Sequence, residues 1–123
     1  YLKVWNKPII WTFHDCWPFT GHCAHFQHLN CNRWETQCYD CPNPQSYPKS
    51  WYIDNSRRNY LDKMQIFGGV EKMTLVSPSK WLATTLKSSF LKKFDIIHVY
   101  NGIDIEVFRP EGSDLYKTKY KLL

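Results

Sequence analysis

The sequence predicts an α/β fold, a parallel β-sheet with helices on its faces, interrupted by one long cysteine-rich loop. Three observations carry this expectation. Short β-branched and aromatic runs at 9–13, 73–76 and 96–100 show almost no polar alternation, the pattern of strands buried on both faces. Helical patterns separate the later runs, and strands that alternate with crossover helices pair in parallel. All five cysteines fall between positions 16 and 41, in a stretch with no sustained period.

Taken in order, Lys7 and Pro8 lead into the first strand, which runs from Ile9 to Phe13. The segment 14–51 follows, rich in Cys, His, Pro, Asn and Trp. A loop of that length inside a domain signals either function or a local staple. Clustered cysteines would supply the staple, because a polar insert buries too little apolar surface to order itself. Asp54 or Ser56 can cap a helix reaching about Phe67, with Tyr60, Leu61, Met64 and Phe67 as its apolar side and Gly68-Gly69 at its end. The second strand, Met73 to Val76, leads into Ser77-Pro78, a hydroxyl at the N-cap and proline at the first helical position. Trp81, Leu82, Leu86 and Phe90 give this second helix a stripe, and it should end near Lys92-Lys93, whose charge suits the helix dipole. The third strand, Ile96 to Tyr100, stops at the turn signal Asn101-Gly102. Residues 106–110 read as a linker and 113–122 as a short basic amphipathic helix. Three strands are few for a doubly wound sheet, so further strands are expected on the N-terminal side.

The 123 residues amount to about one domain. With 43% hydrophobic and 17% aromatic residues there is ample material for a core, which excludes a disordered chain. No apolar run approaches the ~18–20 residues that span a membrane, and no signal peptide is visible. The chain begins at Tyr1 within an apolar pattern, so it reads as a piece of something longer. A net charge of +5 is modest; Lys80, Lys87, Lys92 and Lys93 form its nearest approach to a patch and suit a solvated helix face. A specific nucleic-acid partner is not expected.

Four of the cysteines, Cys23, Cys31, Cys38 and Cys41, are spaced C-x7-C-x6-C-x2-C. The C-x-x-C pair lets two thiolates grip one tetrahedral zinc, and the other two can complete a structural site. The outer gaps differ from those of a zinc ribbon, so two disulfides and reduced buried thiols remain alternatives. The absence of an export signal points to a cytoplasmic, reducing compartment, which favours metal or free thiols. His22, His25 and His28 lie in the same loop and can replace a ligand.

Ligands of open α/β sheets bind beyond the carboxyl ends of the strands. Those ends are His14-Asp15, then Ser77-Pro78-Ser79-Lys80, then Asn101-Gly102. An imidazole at a strand end can hydrogen-bond a sugar or phosphate, or exchange a proton near neutral pH. Ser77, Ser79 and Lys80 bring hydroxyls, an ammonium and free backbone N–H groups to a helix start, which suits an anion. No G-x-G-x-x-G, P-loop or G-x-S-x-G is present, so a nicotinamide or P-loop enzyme is not supported.

The stretch from Trp11 to Cys23, with His14-Asp15 followed by Trp17-Pro18-Phe19-Thr20-Gly21, resembles a subset of the family 4 glycosyltransferases. The later motifs agree in order: Cys31, then Cys38-x-x-Cys41-Pro42, then Ser77-Pro78-Ser79-Lys80-Trp81, then Asn101-Gly102-Ile103-Asp104. Cys16 departs from the apolar residue usual in this subset and is left out of the proposed metal set. The resemblance implies the GT-B architecture, with two Rossmann-like domains facing a cleft. Residues 1–105 would be part of the N-terminal, acceptor-side domain, a partial Rossmann-like three-layer sheet that includes the 14–51 loop. Residues 106–123 would be the interdomain connector and the first helix of the C-terminal domain. It further implies a retaining transfer from a nucleotide-sugar donor to a hydroxyl of a glycan or lipid-linked acceptor, without a catalytic metal, in cell-surface polysaccharide or lipopolysaccharide synthesis. Such a role is compatible with peripheral association at the inner face of the membrane. His14 matches the cleft histidine beside the transferring sugar; Asp15, Ser77, Ser79, Lys80, Asn101 and Gly102 would line the substrate site. A zinc-knuckle-type binding module or an inactive scaffold of the same fold are the competing readings.

Overall fold

The computed structural model describes Val4 and residues 7–45 and 47–108. In chain order it contains β1 (Ile9–Thr12), three short 3₁₀ turns (Trp17–Phe19, Gln27–Leu29 and Arg33–Glu35), α1 (Ser56–Gly68), β2 (Met73–Ser77), α2 (Lys80–Ser88) and β3 (Asp95–His98). The expected helix at 113–122 and the second half of the expected linker lie outside the described residues.

The three strands form one parallel sheet in the order β1-β2-β3. Ile9 stands opposite Met73 and Thr12 opposite Val76; Thr74 stands opposite Asp95 and Ser77 opposite His98. The ladder continues one residue beyond the strands, the Phe13 N–H donating to the Val76 carbonyl (2.8 Å) and the Val99 N–H to that of Ser77 (3.0 Å). All three strands therefore end side by side.

Alternation along this register puts Ile9, Trp11, Met73, Leu75 and Ile96 on one face, where they join Phe13, Leu82, Leu86 and Leu91 in the core. The opposite face is open. Ile10 is 76% exposed and Ile97 48% exposed. This corrects the expectation of strands buried on both faces: among the described residues the layers number two, not three. The reason is topological. Both crossovers step the same way along the sheet, and right-handed crossovers that step the same way lay their helices on the same face.

The boundaries of α2 also shift. Its N-cap is Ser79 rather than Ser77: Ser79 has extended backbone and its Oγ accepts the Leu82 N–H (3.1 Å), while Ser77 still belongs to β2. The helix stops at Ser88, short of Lys92. There the Ser89 hydroxyl donates to the Leu86 carbonyl (2.8 Å) and accepts the Leu91 N–H (3.1 Å), offering the backbone an alternative to another turn. β3 ends at His98 instead of Tyr100.

On α1 the buried stripe is Ser56, Tyr60 and Lys63, continued by half-buried Phe67, with Leu61 and Met64 exposed. The stripe is rotated from the purely apolar one because α1 packs on loop backbone that presents carbonyl oxygens. The Tyr60 hydroxyl donates to the Trp34 carbonyl (3.1 Å), and Lys63 Nζ donates to those of Trp17 (2.7 Å) and Thr20 (2.9 Å). The N-cap position is Asn55, without a side-chain cap bond, rather than Asp54 or Ser56; Asp54, one residue earlier, accepts the Ser56 N–H through Oδ1 (2.8 Å).

The long segment between β1 and α1 orders itself better than a polar insert should. Phe19, Phe26 and Trp34 are all buried and stack edge-on or tilted, with ring centroids 5.0–6.4 Å apart. Buried aromatics of this size dominate local packing energetics, so the staple is not the segment's sole support.

Candidate functional site

The parallel order brings the three predicted strand ends to one edge of the sheet. His14 lies two residues beyond β1, and its side chain is exposed. Asp15 turns inward on its own loop: Oδ1 accepts the Trp17 N–H (2.9 Å) and holds the first 3₁₀ turn. At the end of β2, Ser77 is fully buried and its hydroxyl donates to the Ser79 carbonyl (2.9 Å). Ser79 is half-buried and engaged as the N-cap, and Lys80 is exposed at the first turn of α2. Asn101 and Gly102, three and four residues past β3, are both exposed.

None of the hydrogen bonds between described residues joins His14, Lys80 or Asn101 to another member of this set. The edge therefore carries an exposed imidazole, an exposed ammonium and a helix N-terminus, a set of groups that suits an anion or a sugar hydroxyl. One residue escaped the sequence reading. His98 stands opposite Ser77 with its Nε2 buried and without a hydrogen-bond partner, its ring edge-on to Tyr100 at 4.3 Å. Its only signal in the sequence was its place near the end of an apolar run.

The cysteines gather elsewhere. Cys23, Cys31, Cys38 and Cys41 line one cavity of about 20 Å³, together with His22 and Arg33. All are free thiols, so the disulfide alternative is not what the structure forms. The Cys23 and Cys41 side chains are hydrogen-bonded, but among the described residues no three His, Cys, Asp or Glu side chains stand ready to hold a metal ion. Burial pushes the Cys38 thiol up to about 11, against the pull of the Gly21 N–H that bonds its sulfur. Burial and then neighbouring Cys41 raise Cys23 as well. Cys16 sits apart in the main core, pushed up to about 12 by burial and then by the charge of Asp15.

Two charged groups frame this cluster. Lys63, only 7% exposed, lies 3.5 Å from the centre of the Trp17 ring, and burial lowers it to about 8, partly offset by Cys38 and Asp15. Asp54 bridges the cluster to α1, its Oδ2 accepting the Cys41 N–H (2.7 Å). Burial pushes its carboxyl upward, but the N–H groups of Cys41 and Ser56 outweigh that and hold it below the usual carboxylate range.

A larger, open groove of about 340 Å³ lies between the loop and α2, lined by Trp81, Gln27, Asn30, Asn32 and Glu35 among others. Its half-exposed indole beside amide and carboxylate groups can stack on one face of a sugar ring and hydrogen-bond its hydroxyls.

Over 110 residues the chain is 34% identical to a protein of Escherichia coli (strain K12) named "Putative colanic acid biosynthesis glycosyl transferase WcaC". The chain is similar to a glycosyltransferase. The match takes in 84% of this chain and 26% of WcaC, so the chain spans about a quarter of that relative's length. No protein-family profile and no solved structure matches it. No helix among the described residues is long and apolar enough to cross a membrane.

Proposed function

We propose that this chain is part of a glycosyltransferase that moves a sugar from a nucleotide-sugar donor to an acceptor hydroxyl in polysaccharide biosynthesis. The observation that carries this reading is the 34% identity to WcaC across 84% of the chain. The parallel sheet supports it, because ligands of such sheets lie beyond the strand ends where His14, Lys80 and Asn101 sit. In the proposed GT-B arrangement, residues 1–105 belong to the acceptor-side domain and 106–123 lead to the donor-side domain. The open sheet face, with Ile10 and Ile97 exposed, fits a sheet that other parts of a larger domain would cover.

In this reading His14 hydrogen-bonds the transferring sugar and stabilises charge that develops at the reacting centre. The amides and Lys80 at the start of α2 attract anionic groups of the substrate. Ser77 and Asp15, engaged with their own backbone, shape the turns that carry these groups. The groove at Trp81 offers a glycan acceptor a stacking surface. Retention of anomeric configuration, no catalytic metal and a cytoplasmic location complete the proposal.

Transfer in a two-domain cleft needs both halves closed around the bond being made, so the isolated chain should not turn over. Turnover of a nucleotide-sugar by the pure chain would contradict this assignment of domains. In the full-length enzyme, His14→Ala should lower kcat at least ~100-fold, the lower end of what a positioned acid–base group contributes. Near-normal turnover would remove His14 from the chemistry.

A further inference from the structure

We propose that Cys23, Cys31, Cys38 and Cys41 close around one structural zinc ion, with the Gly21 amide and the buried Lys63 ammonium compensating its thiolate charge. Four thiols drawn from three stretches of the loop line a single cavity of about 20 Å³. That is room for one water-sized occupant, which fits a lone ion and not a multi-iron cluster. Four cysteine sulfurs are a donor set of structural zinc sites, and a site with four protein ligands leaves no open position for chemistry.

The surroundings are those of an anionic centre. Lys63 is buried with two carbonyl oxygens of the loop as its hydrogen-bond partners. Arg33 lines the same cavity. The Gly21 N–H already donates to the Cys38 sulfur, and His22 Nε2, in the cavity wall, is buried without any partner. Four thiolates on a divalent ion leave a centre of charge −2, which a buried ammonium and backbone N–H groups stabilise.

Among the described residues no three of these side chains stand in a metal-holding arrangement, and protonated thiols have no reason to adopt one. On binding, each thiol gives its proton to solvent and its S–H bond is replaced by a Zn–S bond; no electron is transferred. The ion would join loop positions 23 to 41, and through the Asp54 bridge from Cys41 to Ser56 it would fix that loop to α1. None of this depends on the transferase reading, since activity is not the readout.

The test is metal content and cobalt spectroscopy on the whole chain, expressed with added zinc and purified without chelator. About one zinc per chain is expected, released by a mercurial thiol reagent, with Cys16→Ala retaining it. Cobalt-loaded protein should show thiolate charge transfer and the strong visible bands of tetrahedral cobalt. Cys41→His keeps a ligand and should retain the metal with an altered cobalt spectrum, which covers the case that Cys38→Ser fails to fold. Lys63→Met should weaken zinc binding about 10–100-fold, the usual effect of losing an outer partner, and Lys63→Arg should restore most of it. Folded protein with five reactive thiols and no zinc uptake overturns the proposal, as do intramolecular disulfides, bound iron in place of zinc, or equal zinc affinity in Cys38→Ser.

Discussion

Gly21 lies where the first 3₁₀ turn, the cysteine cluster and the start of α1 meet. A Cβ built on it would stand 2.1 Å from the Ser56 carbonyl oxygen and 2.7 Å from Cys38 Cβ. Ordinary contact begins at 3.4 Å, so Gly21→Ala must push α1 away from the loop by more than an ångström. The first obstacle is backbone and cannot rotate aside. Overpacking of this kind costs about 1–3 kcal/mol, and the upper end applies because the hydrogen bonds of Tyr60 and Lys63 to the loop stretch with the same displacement. For a domain of this size that lowers the thermal midpoint by on the order of 10 °C. Circular dichroism melts and urea titrations of the chain measure it. Gly68→Ala is the control: nothing lies within 4 Å of its built Cβ and it sits in the last turn of α1, so it should stabilise by about 0.5–1 kcal/mol. If both variants melt at the wild-type midpoint, the close approach at Gly21 is not real.

Two further outcomes follow from local chemistry. Ser79→Ala removes the hydroxyl that accepts the Leu82 N–H and should cost about 1 kcal/mol, whereas Ser79→Gly should cost only a few tenths; equal losses in urea unfolding would mean that Ser79 does not act as a cap. The Cys16 thiol, raised from 9.0 to about 12 on folding, keeps its proton in the folded chain where the unfolded chain has lost it. Its contribution to stability is intact below pH 9 and drains away as pH rises toward 12. Urea midpoints compared between pH 8 and pH 10 should therefore fall less steeply in Cys16→Ala than in wild type, and parallel slopes would refute that account.

The strands and their ends were legible in the sequence, because β-branched runs, Ser-Pro and Asn-Gly signal local structure without help from distant residues. That His14, the start of α2 and Asn101 come to one edge follows from parallel pairing, which the alternation of strands and helices already implied. The metal-like spacing of the cysteines was equally plain. Which side chains meet was not. Lys63 had no place in the apolar side expected for α1, yet it is buried, because the turn around Trp17 and Thr20 presents carbonyl oxygens at its reach. His98 looked like one residue of an apolar run and stands opposite Ser77 with its buried Nε2 unpartnered. The open face carrying Ile10 and Ile97 was invisible too, since a run of apolar residues reads alike whether one side of the sheet is covered or both. Local propensity and hydrophobic period determined the elements and their order; the direction of the two crossovers and the approach of the loop to α1, set by contacts between residues far apart in the chain, decided what each face touches.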